Sequence, residues 1–254
     1  MSTLSSPTTR QPGPRVGTIV TVNSPELVEA MSGAGIDWLC FDLEHSTLTV
    51  ADVQRMIQAV KPPCLTLIRI ESPQAVYVKK ALDTGCDGIV IPQVNTAALA
   101  REMVEAGKYS PVGNRSVGLS RSTSYGTRLA SAVATDNDEK ALIVQIEHTQ
   151  AVENLDAILG VPGVDGAFVG PYDLSSSMRR IGDVKHPEVQ EKIGLIAERV
   201  RMRGLLLGIY VGNEEALGEA SERGFDFVAV GSDVLRIVAS ITKTVAVRET
   251  LNPV

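Results

Sequence analysis

Residues 141–175 read ALIVQIEHTQAVENLDAILGVPGVDGAFVGPYDLS and contain the repeating unit that decides the fold. Two short apolar runs, 141–144 and 167–169, end in polar or turn residues, and the apolar residues between them recur at helical spacings of three and four. The segment therefore predicts a strand, a helix and a second strand, with Glu147 just past the first strand and Asp173 past the second. Neighbouring parallel strands point their carboxyl ends at one place, so these two carboxylates should converge and suit a hard divalent cation.

The same unit recurs along the whole chain. Strand ends such as Asp42, Arg69 and Gln93 follow one another at intervals of about 25 residues, which fits the period of a βα unit. The chain has 254 residues, the usual size of one (β/α)₈ barrel. We therefore predict an α/β fold, a single TIM barrel, with parallel strands at residues 16–22, 36–41, 64–68, 88–91, 142–146, 167–169, 205–210 and 227–230.

A doubly wound open sheet is the alternative fold. No Gly-x-Gly-x-x-Gly follows the first strand, so a Rossmann nucleotide site is not expected. We assign residues 15–254 to one catalytic domain. Residues 1–14 are rich in Ser, Thr and Pro and are expected to form a mobile N-terminal tail.

Composition narrows the classes of function. A formal charge of -6 and a pI near 5.2 argue against a nucleic-acid partner or an anionic membrane surface. No apolar run approaches the length of a membrane span and no signal-peptide pattern is present, so we expect no membrane association. Cys40, Cys64 and Cys86 show no paired spacing and are interpreted as reduced core residues of a cytoplasmic protein.

Polar residues stand at the ends of the predicted strands, where a purely structural rim would favour aliphatic side chains. They are Asp42, Glu44, His45, Arg69, Gln93, Gln145, Glu147 and Asp173. Arg69 is expected to bind a substrate carboxylate through its forked guanidinium. Glu44 is interpreted as structural because its side chain should alternate away from those of its neighbours. Asp173 fits a helix N-cap as well as a metal ligand.

His45 is the strongest candidate for a general base. Asp42 lies three positions earlier, and a carboxylate bonded to an imidazole fixes its tautomer and raises its basicity. The other histidines, His148 and His186, are interpreted as polar loop residues. No lysine stands at a strand end, so a Schiff base is not expected, and a metal ion should act as the electron sink instead.

Residues 109–135 form a long stretch rich in Gly, Ser and Arg. We predict that this stretch is irregular, because it matches neither the helical nor the strand pattern. An irregular connection of this length exceeds an ordinary loop and indicates a functional segment, either a lid over the site or a contact with a partner.

Taken together, these motifs resemble one known family. Asp-Leu-Glu-His at 42–45, Arg69, Gln-Ile-Glu at 145–147 and Gly-Pro-Tyr-Asp-Leu-Ser at 170–175 are similar to the class II, metal-dependent pyruvate aldolases. The type is that of the 4-hydroxy-2-oxoheptanedioate and 2-dehydro-3-deoxyglucarate aldolases. The similarity extends from about residue 16 to residue 246, and Phe-Val-Ala-Val-Gly-Ser-Asp at 227–233 fits the last strand and helix start of this family.

The resemblance implies a role for each matching residue. Glu147 and Asp173 would hold a divalent ion (Mg²⁺, Mn²⁺ or Co²⁺) that pyruvate chelates, and Arg69 would stabilise the enolate. Gln145, with the backbone around Tyr172 and Asp173, would hold the substrate carboxylate. His45 with Asp42 would move protons through water. Asp83 matches an acidic residue that reaches a neighbouring subunit's site. Tyr172 stands where the family usually has a small residue, which puts the shape of the acceptor pocket in doubt.

The function implied is that of an aldehyde-lyase. It would reversibly cleave a 4-hydroxy-2-oxo acid to pyruvate and an aldehyde through a metal-stabilised enolate. The alternatives are a related enolate-forming synthase with a different acceptor, by Claisen or decarboxylating condensation, and a non-catalytic binding protein on the same barrel.

The last predicted helix indicates an oligomer. Val234, Leu235, Ile237, Val238, Ile241 and Val245 present more apolar surface than a helix on the outside of a monomeric barrel needs. This surface should meet another chain, for which exchange of the helix between subunits is one arrangement. With the resemblance, it favours a homohexamer built from dimers.

Overall fold

The structure, a computed structural model, describes residues 13–251 and forms one closed barrel of eight parallel strands in the order β1 to β8. The strands β1–β8 span Arg15–Val20, Trp38–Asp42, Leu65–Arg69, Gly88–Ile91, Ala141–Ile146, Gly166–Val169, Leu206–Val211 and Phe227–Ser232. The helices α1–α11 span Pro25–Gly33, Val50–Ala59, Ala75–Asp83, Ala97–Gly107, Leu129–Glu139, Thr149–Glu153, Leu155–Leu159, Pro171–Ser177, Pro187–Met202, Glu215–Glu222 and Asp233–Leu251. The predicted single (β/α)₈ barrel is confirmed. The tail expected at residues 1–14 lies outside the described residues except for Gly13 and Pro14.

Alternate residues of each strand point into the barrel. The inward set forms one buried cluster, made of Ile19, Trp38, Cys40, Leu65, Leu67, Val90, Ala141, Ile143, Phe168, Phe227 and Ala229. The outward set packs against the surrounding helices in a second, larger aliphatic cluster. Because both faces of every strand are buried, the strands appear in the sequence as continuous apolar runs.

Two glycines make room for the large rings inside the barrel. A Cβ atom added at Gly17 would overlap the Trp38 indole, and one added at Gly208 would overlap the Phe227 ring. The Trp38 and Phe227 rings meet edge to face at 5.6 Å, and Phe168 lies 5.7 Å from Phe227. The interior is therefore filled by aromatic rings set against glycine backbone.

Residues 109–135 differ from the prediction. The segment contains a 3₁₀ turn at Arg121–Gly126 and the start of α5, which the sequence pattern missed because α5 buries only Ala132 and Asp136 and has a weak apolar stripe. The segment follows the C-terminus of α4 and precedes the N-terminus of β5. It therefore lies at the amino-terminal end of the barrel, so the prediction of a lid over the chain's own site is wrong, and the alternative of a contact with a partner stays a prediction.

Two regions on either side of β6 contain short helices that differ from the predicted elements. The helix predicted between strands five and six is divided into α6 and α7 at Asn154, and α8 follows β6 immediately, with Pro171 at its first position. The N-cap of α8 is Gly170, so Asp173 lies inside the first turn rather than at the cap position considered for it.

The last helix begins at the barrel and extends away from its own core. The Asp233 carboxylate accepts hydrogen bonds from the Thr21 backbone N–H and hydroxyl, at 2.9 and 2.8 Å, and from the Val22 N–H at 2.9 Å, which ties α11 to the end of β1. Beyond this anchor, a set of large apolar side chains is exposed, namely Val234, Leu235, Ile237, Val238, Ile241, Val245, Val247 and Leu251. No helix within residues 13–251 is long and apolar enough to cross a membrane.

Interior packing yields a test by substitution. We expect Gly17→Ala to lower the free energy of unfolding by about 1–3 kcal/mol, because the new methyl group must displace the buried Trp38 ring. Gly218→Ala serves as the control: Gly218 lies exposed in α10 with no atom within 4 Å of an added Cβ, so alanine should stabilise the helix by about 0.5–1 kcal/mol. Urea denaturation measures both, and an equal effect of the two variants would contradict this account of the core.

Candidate active site

Two cavities open side by side at the carboxyl ends of the strands. The first, the rim cavity, has a volume of about 280 Å³ and is lined by Ile19, Thr21, Asp42, His45, Arg69, Gln145, Phe168, Gly170, Pro171, Tyr172, Asp173, Tyr210 and Ser232. The second, the acidic cavity, has a volume of about 360 Å³ and is lined by Glu44, His45, Gln93, Asn95, Glu147, His148, Asp173, Ser176 and Ser177. His45 and Asp173 border both cavities, so the two form one continuous candidate site.

Asp42 and Arg69 form a two-point ion pair across β2 and β3. The two residues face each other in the pairing of β2 with β3. Both side chains point into the barrel, because they continue the alternating rows of inward residues formed by Trp38 and Cys40 in β2 and by Leu65 and Leu67 in β3. Arg69 Nε donates to Asp42 Oδ1 at 2.9 Å and Nη2 donates to Oδ2 at 2.7 Å. Burial alone would lower the pKa of the guanidinium, but the hydrogen bonds and charge of Asp42 together raise it.

The pairing of Asp42 corrects one expectation. Its carboxylate does not hold the His45 imidazole; besides Arg69, its Oδ1 accepts the backbone N–H groups of Glu44 at 3.0 Å and His45 at 3.3 Å. The Ser46 hydroxyl also hydrogen-bonds the Asp42 carbonyl. Asp42 therefore shapes the loop that carries His45, whereas the sequence spacing had suggested a direct side-chain contact.

Glu44 lines the acidic cavity, which corrects the expectation that its side chain points away from those of its neighbours; its interpretation as structural stays a prediction. It keeps the inward parity of Asp42 while Leu43 packs in the outer core, and its side chain is only 7% exposed. Glu44 Oε2 lies 3.4 Å from both His45 Nε2 and Arg69 Nε and has no hydrogen-bond partner. Burial raises the pKa of Glu44 to about 6, with Arg69 opposing and Glu147 adding to the shift.

His45 is the most accessible of these groups. Its side chain is 61% exposed, and its Nε2 faces Glu44. An exposed imidazole next to a buried carboxylate is placed to exchange protons with a ligand or with water. Glu44 therefore holds the position next to His45 that the sequence had assigned to Asp42.

Glu147 is held by a set of close contacts at the end of β5. Gln145 Nε2 donates to Glu147 Oε2, and the Gln93 backbone N–H donates to Oε1 at 2.7 Å. Gln93 adopts φ +54°, an uncommon conformation for a residue with a Cβ, which directs this N–H to the carboxylate. A Cβ added at Gly170 would come within 3.0 Å of Glu147 Oε2, so only glycine leaves the carboxylate its room.

Glu147 and Asp173 converge, as the strand ends predicted. Burial raises the pKa of Glu147, and the charge of Asp173 raises it further against the hydrogen bonds from Gln145 and Gln93. Gln145 Oε1 is buried and lacks a hydrogen-bond partner, which adds a third oxygen donor to the set. Among residues 13–251 no group of three or more His, Cys, Asp or Glu side chains is placed so that all could hold one metal ion. Two carboxylates with open positions for water and substrate fit Mg²⁺ or a similar hard cation.

The remaining predicted residues divide into two groups. Tyr172 lines the rim cavity and is 56% exposed, and Tyr210, which the sequence analysis missed, stands beside it at the end of β7. Tyr210 could have been identified from the sequence, because Leu206, Gly208 and Tyr210 alternate along β7 and therefore point to the same, inward side. Asp83 does not line either cavity. It is the last residue of α3, at the opposite end of the barrel, where Arg115 Nη2 donates a hydrogen bond to its carboxylate at 3.0 Å.

The cysteines take no part in the site. Cys40, Cys64 and Cys86 are buried and unpaired, as expected for reduced core residues. Burial raises the pKa of Cys40 and Cys64 to about 12 and that of Cys86 to about 11, so the thiols stay protonated at neutral pH.

The chain is similar to known proteins over nearly its whole length. The family model described as HpcH/HpaI aldolase/citrate lyase matches residues 15–239. A 4-hydroxy-2-oxo-heptane-1,7-dioate aldolase of Escherichia coli is 37% identical over 238 residues, covering 92% of this chain and 90% of the relative. A 2-keto-3-deoxy-L-rhamnonate aldolase of Klebsiella pneumoniae subsp. pneumoniae is 35% identical over 235 residues, covering 91% and 88%. A solved structure of an HpcH/HpaI aldolase/citrate lyase family protein from Burkholderia cenocepacia superimposes with a TM-score of 0.88 at 30% identity, covering 95% of this chain and 96% of that one.

Glu44 predicts a pH dependence of stability in protein prepared without divalent ions. A carboxyl whose pKa is raised on folding contributes stability below its unfolded pKa, and loses it as the pH rises through the folded value. Between the ordinary value of 4.5 and about 6, wild-type stability should fall by roughly 1–2 kcal/mol because of Glu44. In Glu44→Gln this fall should be smaller by the same amount. Urea denaturation from pH 4 to pH 7 measures it, and parallel curves for the two proteins would contradict the assignment.

Proposed function

We propose the reaction of this chain from one premise: the chain belongs to the HpcH/HpaI aldolase/citrate lyase family and is an aldehyde-lyase. It reversibly cleaves a 4-hydroxy-2-oxo acid to pyruvate and an aldehyde in the rim cavity. The observation that carries this proposal is the convergence of Glu147 and Asp173 beside the buried Arg69 and Gln145. The relatives named as aldolases give no support to a non-catalytic role or to a different acceptor chemistry.

Glu147 and Asp173 would hold the divalent cation, with Mg²⁺, Mn²⁺ and Co²⁺ as the candidates. Burial is the main cause of the raised pKa of Glu147, and the charge of Asp173 adds to it, so a cation next to the two carboxylates would offset both effects. When bound, the ion would act as a Lewis acid on the keto oxygen of the substrate. The assignment rests on hard oxygen donors and leaves the choice of metal open to experiment.

Arg69 and Gln145 are assigned to the 2-oxo acid. Asp42 engages Nε and Nη2 of Arg69, so Nη1 makes no hydrogen bond to Asp42 and would be the donor to a ligand in the cavity that Arg69 lines. When the C3–C4 bond breaks, its electron pair moves onto the 2-oxo acid, and the guanidinium stabilises the negative charge that develops on the carbonyl oxygen. The side chain of Gln145, with the backbone N–H groups at Tyr172 and Asp173, would hold the carboxylate.

His45 is assigned to proton transfer. In the cleavage direction the 4-hydroxyl group loses its proton as the aldehyde carbonyl forms, and C3 gains a proton to give the methyl group of pyruvate. His45, exposed to both cavities and 3.4 Å from Glu44, can accept the first proton directly or through water. Asp42 assists indirectly, through the backbone N–H of His45 and through Arg69.

Asp83 serves the reaction only if chains assemble. It lies at the amino-terminal end of its own barrel, with its side chain 40% exposed beside Arg115, so it could act only at the site of a neighbouring chain. The exposed apolar stripe of α11 supports such assembly, and we infer a hexamer in which this helix packs on, or is exchanged with, another subunit. The buried, unpaired cysteines support a cytoplasmic location.

Metal binding tests the proposed function. Glu147→Gln and Asp173→Asn should each abolish measurable Mn²⁺ binding by calorimetry and slow the cation-dependent exchange of pyruvate methyl protons in D₂O by at least ~10². Glu44→Gln removes a neighbouring acid that is not a proposed ligand, so it should weaken Mn²⁺ binding far less than either ligand variant does. Unchanged Mn²⁺ affinity in both ligand variants, at unchanged melting temperature, would remove the basis of the assignment.

The exposed stripe of α11 predicts a solution oligomer. Light scattering after size exclusion should give six times the chain mass of 27.1 kDa at micromolar concentration. Ile241→Glu places a charge in the middle of the stripe and should reduce the mass to that of a smaller species. Lys243→Glu changes charge on the opposite face of the same helix and should leave the assembly intact. A monomeric wild-type protein, or equal effects of the two variants, would refute the interface.

A further inference from the structure

The wall of the rim cavity that faces β6 and β7 is aromatic. Phe168 and Tyr210 continue the inward rows of β6 and β7, and Tyr172 stands above them in the first turn of α8. The acidic cavity, by contrast, has no Phe, Tyr or Trp among the described residues that line it. Rings are scarce in the chain, with one Trp, five Tyr and four Phe, so three of them at one wall is a marked concentration.

The two halves of the substrate must share the rim cavity. Arg69 and Gln145 belong to this cavity, so the 2-oxo acid lies there in the proposed function, and the aldehyde must sit next to it. The acidic side is occupied by Glu44 and Glu147, whose charges favour water and a cation over a carbon skeleton. The substituent of the aldehyde must therefore contact the aromatic wall formed by Phe168, Tyr172 and Tyr210.

The charges of the rim cavity exclude one class of aldehyde. Among its described lining residues the only permanent cation is Arg69, and Asp42 already binds it at two points. A second carboxylate at the far end of the aldehyde would find no free cation in this cavity. Beyond the tyrosines lies a flanking cavity of about 250 Å³, where Lys185 and Arg223 are balanced by Glu215 and Glu219.

The tyrosines offer ring faces as well as hydroxyl groups. Tyr172 is 56% exposed, so its ring is available to a ligand, whereas Tyr210 is half-buried against the barrel interior. Burial raises the pKa of the Tyr210 phenol, and the nearby Tyr172 raises it further, so the Tyr210 hydroxyl group stays neutral at physiological pH. Neutral rings stack with flat apolar groups through offset or edge-to-face contacts.

We propose that Tyr172 and Tyr210, above Phe168, form an acceptor subsite that selects aldehydes carrying an aromatic ring over hydroxylated or carboxylated aldehydes. This inference rests on the proposed function and names the class of aldehyde for it. The flanking cavity, which Tyr172 and Tyr210 also border, gives space for a substituent on the ring.

The experiment compares aldehydes in the direction of addition to pyruvate. We expect kcat/KM of the wild-type enzyme for benzaldehyde to exceed that for glyceraldehyde and for succinic semialdehyde. In Tyr172→Ala and Tyr210→Leu the ratio of the benzaldehyde to the glyceraldehyde value should fall by about threefold to tenfold, the usual worth of one aromatic contact. Tyr172→Phe and Tyr210→Phe keep the rings and should keep the ratio. The ratio within one variant cancels any general loss of turnover.

A binding measurement separates this inference from the proposed function. Benzyl alcohol is an unreactive analogue, and ligand-observed NMR should show it bound by the wild-type protein and weakened threefold to tenfold in Tyr172→Ala. Binding through the tyrosines without exchange of pyruvate protons would overturn the proposed function alone. Proton exchange with a preference for glyceraldehyde or succinic semialdehyde would overturn the aromatic subsite. A loss of the ratio in the Phe variants equal to that in Ala would also overturn it, because the hydroxyl groups would then be the selective element.

Discussion

The two-point pair between Asp42 and Arg69 is the interaction on which the rim of the barrel depends. It joins β2 to β3 at their last register position, and Asp42 also accepts the N–H groups that shape the loop to His45. A buried ion pair is favourable only when its remaining hydrogen-bonding groups are satisfied, and this loop satisfies them. Removing Asp42 would free both the Arg69 side chain and the loop, and removing Arg69 would leave the Asp42 carboxylate without its cation. The position of His45 therefore depends on the contact between Asp42 and Arg69, in which the imidazole takes no part.

The barrel interior explains why polar chemistry appears at one end only. From the amino-terminal end upward, Trp38, Phe227 and Phe168 fill the barrel against glycine backbone, and no space remains there for a ligand. The next inward positions are Asp42, Arg69, Gln145 and Tyr210, which no further aliphatic residues cover. The site is therefore the unfilled last layer of a packed core, and its floor is rigid because the rings below it have no room to move.

Much of this arrangement was predictable from strand ends and parity, and the rest depended on contacts between distant residues. The eight strands stood out because strands buried on both faces are apolar throughout, and Glu147 and Asp173 met because parallel strands end together. The partner of Asp42 was not predictable, because sequence proximity favoured His45 whereas the register between β2 and β3 selected Arg69. The location of residues 109–135 was missed because a composition rich in Gly, Ser and Arg predicts irregular structure but does not indicate at which end of the barrel the segment lies.

The balance of charge at the rim links the acids of the site to one another. Arg69 is the only permanent cation among the described residues lining the rim cavity, and Asp42 binds it at two points, so Arg69 offsets only part of the negative charge of Glu44, Glu147 and Asp173. The raised pKa values of Glu44 and Glu147 reflect burial together with this remaining charge. A divalent cation between Glu147 and Asp173 would lower both pKa values, since it favours their charged forms. Glu44 would then be ionised when the cation is present, so the charge that lies next to His45 would depend on the occupancy of a position that His45 does not touch.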